Sequence, residues 1–323
     1  MSHFTSGGAR WRPTVGAFLM ALLGLSTLAM PRGSEATSDP CGRVYLVNTD
    51  NELLQLRRSA ELLAREGESA RDRNRRLDIR ARKPITGLAD GESLIGVDFR
   101  PSNGLLYGVG RFGRDPMALG QLYTIDVETG AAAAVGARLI PLNGSAFGVD
   151  FNPVPDLIRI VSDLGQNLRI RPADGTVAGT DTTLAYPAMG DPNSTRTPRV
   201  VAVAYTNPDV DLQTNTVLHD LDVDRAADAD PARIGEVLAI QVPPNGGVLN
   251  TVGRLGIDAD DSTAFDIGFD SEALAAIAPA GSGVSRLYFI DLASGDATDL
   301  GQIGRGELIV GLAIQVGPVC TMP

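Results

Sequence analysis

Histidine is nearly missing from this chain: its 323 residues include only His3 and His219. That scarcity excludes a multi-histidine metal centre, and any Ser-His-Asp arrangement would have to run through His219. Cysteine is as rare, with Cys41 and Cys320 alone, and neither has a neighbour at metal-ligand spacing. The single tryptophan, Trp11, lies close to the N-terminus, and aromatic residues make up 5% of the chain, which argues mildly against a sugar-stacking platform. Basic charge is short too: 28 Lys and Arg against 39 Asp and Glu give a formal net charge of -11. With no aromatic residues interleaved among the basic ones, that balance speaks against nucleic acid as a partner.

Long apolar runs are limited to one. Arg10 and Arg12 precede Val15 to Met30, and Pro31, Arg32 and Gly33 follow. A basic start and an apolar middle of 16 residues, short for a membrane span, predict a secretory signal peptide over residues 1–36, with Ser34-Glu35-Ala36 as the small-x-small cleavage pattern. The alternatives are an uncleaved anchor or an unstructured tail. The expected location is secreted or periplasmic, and with the signal cleaved the protein is not integral to a membrane. Cys41 lies well beyond the apolar run, so the pattern for attaching a lipid is missing.

What the chain has instead is repetition. SLIGVDFRPSNGLLYGVG from Ser93, SAFGVDFNPVPDLIRIV from Ser145 and STAFDIGFDSEALAAIA from Ser262 are versions of one pattern, and LYTIDVETG from Leu122 returns as LYFIDLASG from Leu287. Units with a period near 50 residues bury their apolar faces against one another. Each divides into four short apolar pieces punctuated by Gly, Pro, Asn and Asp, which predicts antiparallel hairpins and hence the blade of a propeller. Four such units begin near Ser93, Ala146, Val200 and Ser262. Leu308 to Val316 then looks like a first strand without successors, whereas Arg43 to Thr49 and Asn51 to Arg57 look like second and third strands without a first. The fold class expected is therefore all-β: a five-bladed β-propeller-like ring of four-stranded antiparallel blades, closed by a blade shared between the two termini. It occupies residues 42–316 with a basic insert at 59–83, and residues 317–323 form a short tail.

That arrangement brings Cys41 and Cys320 together at the closing hairpin, so an oxidising compartment predicts one disulfide between them, a clasp rather than a redox site, the alternative being two unrelated thiols. A closed ring needs no partner to complete its sheets, so a monomer is expected.

Ile85 to Pro101 (ITGLADGESLIGVDFRP), Leu122 to Asp126, Gly148 to Pro153, Ile158 to Ile170 (IRIVSDLGQNLRI) and Gln241 to Gly256 (QVPPNGGVLNTVGRLG) resemble the bacterial secreted family catalogued as domain of unknown function 4394. The resemblance covers about Gly42 to Val316. It implies a propeller-like fold and export, and brings no catalytic residue or ligand with it. The basic insert departs from the shorter, less charged connection of the resembling sequences.

Candidate chemistry therefore rests on the residues themselves. Aligning the first strands places Asp98, Asp150 and Asp266 in one slot, with Ala204 and Ala313 in the other two. If that slot faces the central channel, three carboxylates converge on a site for a hard cation such as Ca2+. If it faces a neighbouring blade, each Asp accepts backbone N–H groups, and repetition within one chain favours this second account. His219 reads as an ordinary strand position, aligned with Thr124 and Phe289. Asp220 to Asp224 imitates the start of a calcium loop but has Arg225 where Gly and Pro231 where Glu are required. The long connections at residues 187–196, 208–215 and 243–247 are the expected ligand-binding loops. Asn143 and Asn193 each open a glycosylation acceptor pattern.

The leading functional expectation is an exported binding module for an unknown small molecule, a surface glycan or a protein, without a cofactor. Its basic insert reads first as a solvated blade extension in which Leu77, Ile79 and Ala81 alternate as a fourth strand, and alternatively as a docking surface for an acidic partner. The rival is a metal-assisted propeller hydrolase or lactonase in which Asp98, Asp150 and Asp266 are catalytic.

Overall fold

Every junction in the repeat is a tight turn, so each unit folds as a meander. In the computed structural model, blade 2 comprises β4 (Ser93–Phe99), β5 (Leu106–Phe112), β6 (Ala118–Ile125) and β7 (Ala132–Leu142), numbering strands in chain order. Blade 3 comprises β8 (Phe147–Asn152), β9 (Leu157–Ser162), β10 (Asn167–Ile170) and β11 (Val177–Thr180). Blade 4 is β12 (Val200–Tyr205), β13 (Leu218–Asp222), β14 (Val237–Gln241) and β15 (Leu249–Arg254). Blade 5 is β16 (Ala259–Ile267), β17 (Ala273–Pro279), β18 (Arg286–Ile290) and β19 (Ala297–Gln302). Blade 1 joins the termini: β20 (Ile309–Ile314) pairs antiparallel with β1 (Arg43–Asn48), which continues to β2 (Glu52–Arg58) and β3 (Ala81–Pro84). The result is a five-bladed β-propeller.

The structure describes residues 41–67, 69, 76–113, 118–211, 213–223, 235–318 and 320. The expected signal peptide over 1–36 and its cleavage site lie outside them, as do Asp224, Arg225 and Pro231. No helix among the described residues is long and apolar enough to cross a membrane. Cys41 and Cys320 form a disulfide across a sequence separation of 279, next to the closing β20–β1 pair.

The repeated IDxxxG motif makes the turn between third and fourth strands. Asp126 accepts hydrogen bonds from the backbone N–H groups of Glu128 and Thr129, and Asp291 accepts those of Ala293 and Ser294. Gly130 and Gly295 then take φ of 78° and 86°, a conformation that a side chain disfavours.

Apolar side chains fill the five spaces between adjacent blades, one cluster to each. The space between blades 3 and 4 has the smallest set, with ten buried apolar residues against twelve to sixteen elsewhere among the described residues. Buried polar groups concentrate there instead: Arg159, Asn167, Asp220, Asp222 and Gln241.

The basic insert differs in detail from expectation. A short helix, α1 (Ser59–Leu63), follows β2 directly and buries Leu62. The alternation of Leu77, Ile79 and Ala81 does not run as one strand, because Leu77 is buried against blade 5 and bridges Ile303 in parallel, so β3 begins only at Ala81.

Candidate functional site

The innermost strands β4, β8, β12, β16 and β20 approach closely because small residues face the axis. A Cβ on Gly148 would lie 2.7 Å from the backbone nitrogen of Val203, and one on Gly96 would lie 2.6 Å from a methyl of Val149. With Ala202, Ala264 and Gly311 at the equivalent positions, they leave an axial cavity of about 10 Å³, room for roughly one water.

Two residues along each strand, and so on the same face, stand Asp98, Asp150, Ala204, Asp266 and Ala313. All three aspartates are buried, and one oxygen from each lies within 4.8 Å of the others. The convergence and the backbone role foreseen as alternatives hold together. Five backbone N–H groups surround this level, one per blade, and three carboxylates accept all five. Asp98 takes Phe99 (2.6 Å) and, on the next blade, Phe151 (2.7 Å). Asp150 takes Tyr205 of the blade after it (3.0 Å). Asp266 takes Ile267 and Ile314 (both 2.6 Å). The division follows from the alanines: Ala313 and Ala204 have no acceptor for the following blade, so Phe99 and Ile267 turn to the aspartate just before them. Burial pushes all three carboxyls up, Asp266 to about 7; the other aspartates add repulsion at Asp98 and Asp150, and the backbone donors act in the opposite direction.

His219 does not share a slot with Thr124 and Phe289, which lie on third strands. It sits on the second strand of blade 4, opposite Ala204 and Ile240, where the other blades have Tyr45, Tyr107, Arg159 and Leu274. Burial lowers its pKa to about 4, so the ring is neutral near pH 7. Asp220 and Asp222 belong to strand β13 and not to a metal loop. Asp222 accepts from Arg196, Tyr186 and the backbone of Arg199, whereas neither oxygen of the fully buried Asp220 has a hydrogen-bond partner. Asn193 is buried and donates to Thr251, so its acceptor pattern is not presented at the surface, while Asn143 is exposed.

A larger cleft lies beside one of the loops expected from sequence, among residues that the sequence reading did not name. Between blades 3 and 4 opens a cleft of about 260 Å³, lined by Arg159, Arg169, Tyr205, Asn245 and Asn152 over an apolar floor of Pro155, Leu157, Pro243 and Pro244. Arg159, from β9, is almost wholly buried. Its guanidinium donates to Tyr205 Oη (3.3 Å), Asn167 Oδ1 (2.6 Å), Asp181 Oδ2 (2.6 Å) and Asn245 Oδ1 (2.8 Å). Arg169, from β10, grips Asp181 with two parallel bonds of 2.8 Å and keeps 30% of its side chain exposed. These cations hold the Asp181 carboxyl below its ordinary range against the opposing effect of burial. Of the three long connections singled out from sequence, the turn after β14 lines the cleft, through Pro243, Pro244 and Asn245. Residues 187–196 instead anchor to blade 4 through Asp191 and Arg196.

On the side of blade 1, Arg76, Arg80, Arg82 and Arg305 line an open groove of about 570 Å³, with Asp78 and Glu307 among them.

Comparison with known families gives one match: the model described as Domain of unknown function (DUF4394) fits residues 70–313, more than half of the chain, and the chain belongs to that family. No curated protein matches it. Similar solved structures include a protein from Lactobacillus plantarum, at 13% identity and TM-score 0.38 over 83% of this chain and 70% of that one. The Dos1 propeller shows 11% identity and TM-score 0.37 over 80% of this chain and 61% of its own. Dihydro-heme d1 dehydrogenase NirN shows 14% identity and TM-score 0.31, over 83% and 55%.

Proposed function

We propose that this member of the DUF4394 family is an exported binding propeller whose ligand is a small molecule held in the cleft between blades 3 and 4. The observation that carries the reading is the cleft itself: about 260 Å³, near the lower end of small-molecule sites, with an apolar floor and a few fixed polar groups. Export is supported by the disulfide between Cys41 and Cys320, a bond that persists in oxidising compartments. Native mass spectrometry of protein purified from the periplasm tests the reading. Wild type carries a co-purified small molecule, and Pro155→Trp, at an exposed lining position, loses it; retention by that variant would place the ligand elsewhere.

A cation on the axis is supported by the proximity of Asp98, Asp150 and Asp266. The hydrolase reading needs a Ca2+ ion there and access for a substrate. The same spectra with and without chelator test it, through a mass increment of one calcium that disappears in Asp150→Ala. The arginines of the blade 1 groove support an acidic partner for the basic insert. Binding of polyglutamate that weakens as salt rises tests that docking, and salt-independent or absent binding removes it.

A further inference from the structure

We infer that the ligand of the cleft is a small organic anion, with a carboxylate or phosphate received by Arg159 and Arg169. This deepens the proposed function and rests on the cleft being the binding site.

The argument is one of charge and donors. The protein is acidic overall, at a formal net charge of -11, yet no Asp or Glu lines this cleft while two arginines do. Asp181 neutralises one of them from behind, and its own side chain is 6% exposed, so the group as a whole presents one positive charge to the opening. A guanidinium has five N–H donors. Protein acceptors take four of those on Arg159 and two of those on Arg169. The carbonyl oxygen of Asn245 is occupied by Arg159, which leaves its amide N–H groups. The polar wall is thus rich in donors and poor in acceptors. A neutral polyol needs both, whereas an oxyanion needs donors and a positive field.

The geometry is also set before binding. Arg159 is pinned by four acceptors and Arg169 by the two-bond grip on Asp181, so little side-chain freedom remains to be lost when a ligand arrives. Pro155, Leu157, Pro243 and Pro244 offer a dry surface to the ligand's carbon skeleton. Inorganic phosphate alone would leave that surface uncovered, so the fit is to an anionic head on an apolar or compact body.

Titration calorimetry on the mature, disulfide-bonded protein tests the inference. The probes are benzoate, succinate, glycerol 3-phosphate and inorganic phosphate, with benzamide, glycerol and glucose as neutral counterparts. The expected result is saturable binding of at least one organic anion. Affinity should fall at least tenfold in Arg169→Gln, remain closer to wild type in Arg169→Lys, and vanish in Pro155→Trp. A better response to glycerol 3-phosphate than to the carboxylates assigns the head as phosphate, and the reverse assigns it as carboxylate. Binding of a neutral probe, but of no anion, that is lost in Pro155→Trp overturns the anion class and leaves the cleft as the site. Binding of anions that Pro155→Trp does not disturb overturns the site as well, and so does a wild type that binds none of the probes.

Discussion

The axis and the cleft each gather ionisable side chains, and they use them in opposite ways. On the axis three acids meet, and five of their six oxygens accept a backbone N–H, one from each blade. In the cleft two arginines share one acid and retain donors beside an opening of about 260 Å³. Polar groups consumed by the backbone hold a fold together, and polar groups left over beside a cavity are available to a ligand. Tyr205 joins the two regions, giving its backbone N–H to Asp150 and accepting Arg159 at its hydroxyl.

The largest effects concern what keeps both regions in place. Removing the Cys41–Cys320 bridge by a double change to Ser frees a loop of 279 residues and lowers stability by about 5 kcal/mol in the loop-entropy account. Denaturant unfolding under non-reducing conditions measures this, and a loss below about 1 kcal/mol would mean that the β20–β1 pairing closes the ring unaided. Next comes Arg159→Met, which deprives the enclosed Asp181 carboxylate, Asn167 and Asn245 of their shared donor. A cost of about 1–3 kcal/mol follows from leaving the buried Asn167 oxygen without its donor, since Asp181 keeps its two bonds to Arg169, together with loss of anion binding. A variant that binds as wild type would erase the distinction drawn between the regions.

Donor accounting on the axis makes a finer test. Asp98→Ala strands two backbone N–H groups and Asp150→Ala one, at about 1–3 kcal/mol for each. Measured near pH 5, where raised pKa values reduce repulsion among the acids, Asp98→Ala is expected to cost about twice as much. Equal losses would mean that the carboxylates hold the blades by something other than these hydrogen bonds. Asp150→Ala has a second consequence, because it loosens Tyr205: anion affinity falls severalfold, an effect that Asp98→Ala lacks.

The contrast also explains what was legible in the sequence. The axial slot could be aligned because the strand pattern returns in VDF, VDF and FDI, and a residue that does the same job in several blades repeats with them. The closing blade was readable from complementary leftovers at the two ends. The turn at 243–247 that carries Asn245 was legible as a ligand-binding loop, whereas Arg159, Arg169, Asp181 and Tyr205 were not, because they come from two blades and make a site by departing from the repeat. A signal was present in Arg159, a charged residue in a slot where other blades place Tyr, Leu or His. Aligning His219 with Thr124 and Phe289 fails because LHDLD, a second strand, alternates as the third strand LYTID does, and alternation alone does not fix the slot a residue fills in its blade.

The smallest expected effect separates the axial acids from the buried His219 by pH. Asp266 has its folded pKa raised to about 7, above the unfolded value near 4. Its contribution is therefore fully present below about pH 4 and is lost as pH rises through 7. His219 is shifted the other way, to about 4 from 6.5, because burial penalises its charged ring. Its neutral form is favoured in the fold, so stability attributable to it is present above about pH 6.5 and is lost as pH falls toward 4. The two slopes oppose each other between pH 4 and 6.5, and the wild-type profile is flatter there than either alone. His219→Leu removes the rising component, so its stability relative to wild type is greatest at pH 4 and declines toward pH 6.5. Asp266→Asn, which keeps one acceptor and strands one of two backbone donors, is least stable relative to wild type at pH 4 and recovers toward pH 7. Unfolding midpoints collected across that range at constant ionic strength read both trends, each on the order of 1–3 kcal/mol over the window. A His219→Leu profile parallel to wild type would mean that the ring is already protonated in the fold. A parallel Asp266→Asn profile would mean that Asp266 stays ionised in the fold, as a bound cation would make it.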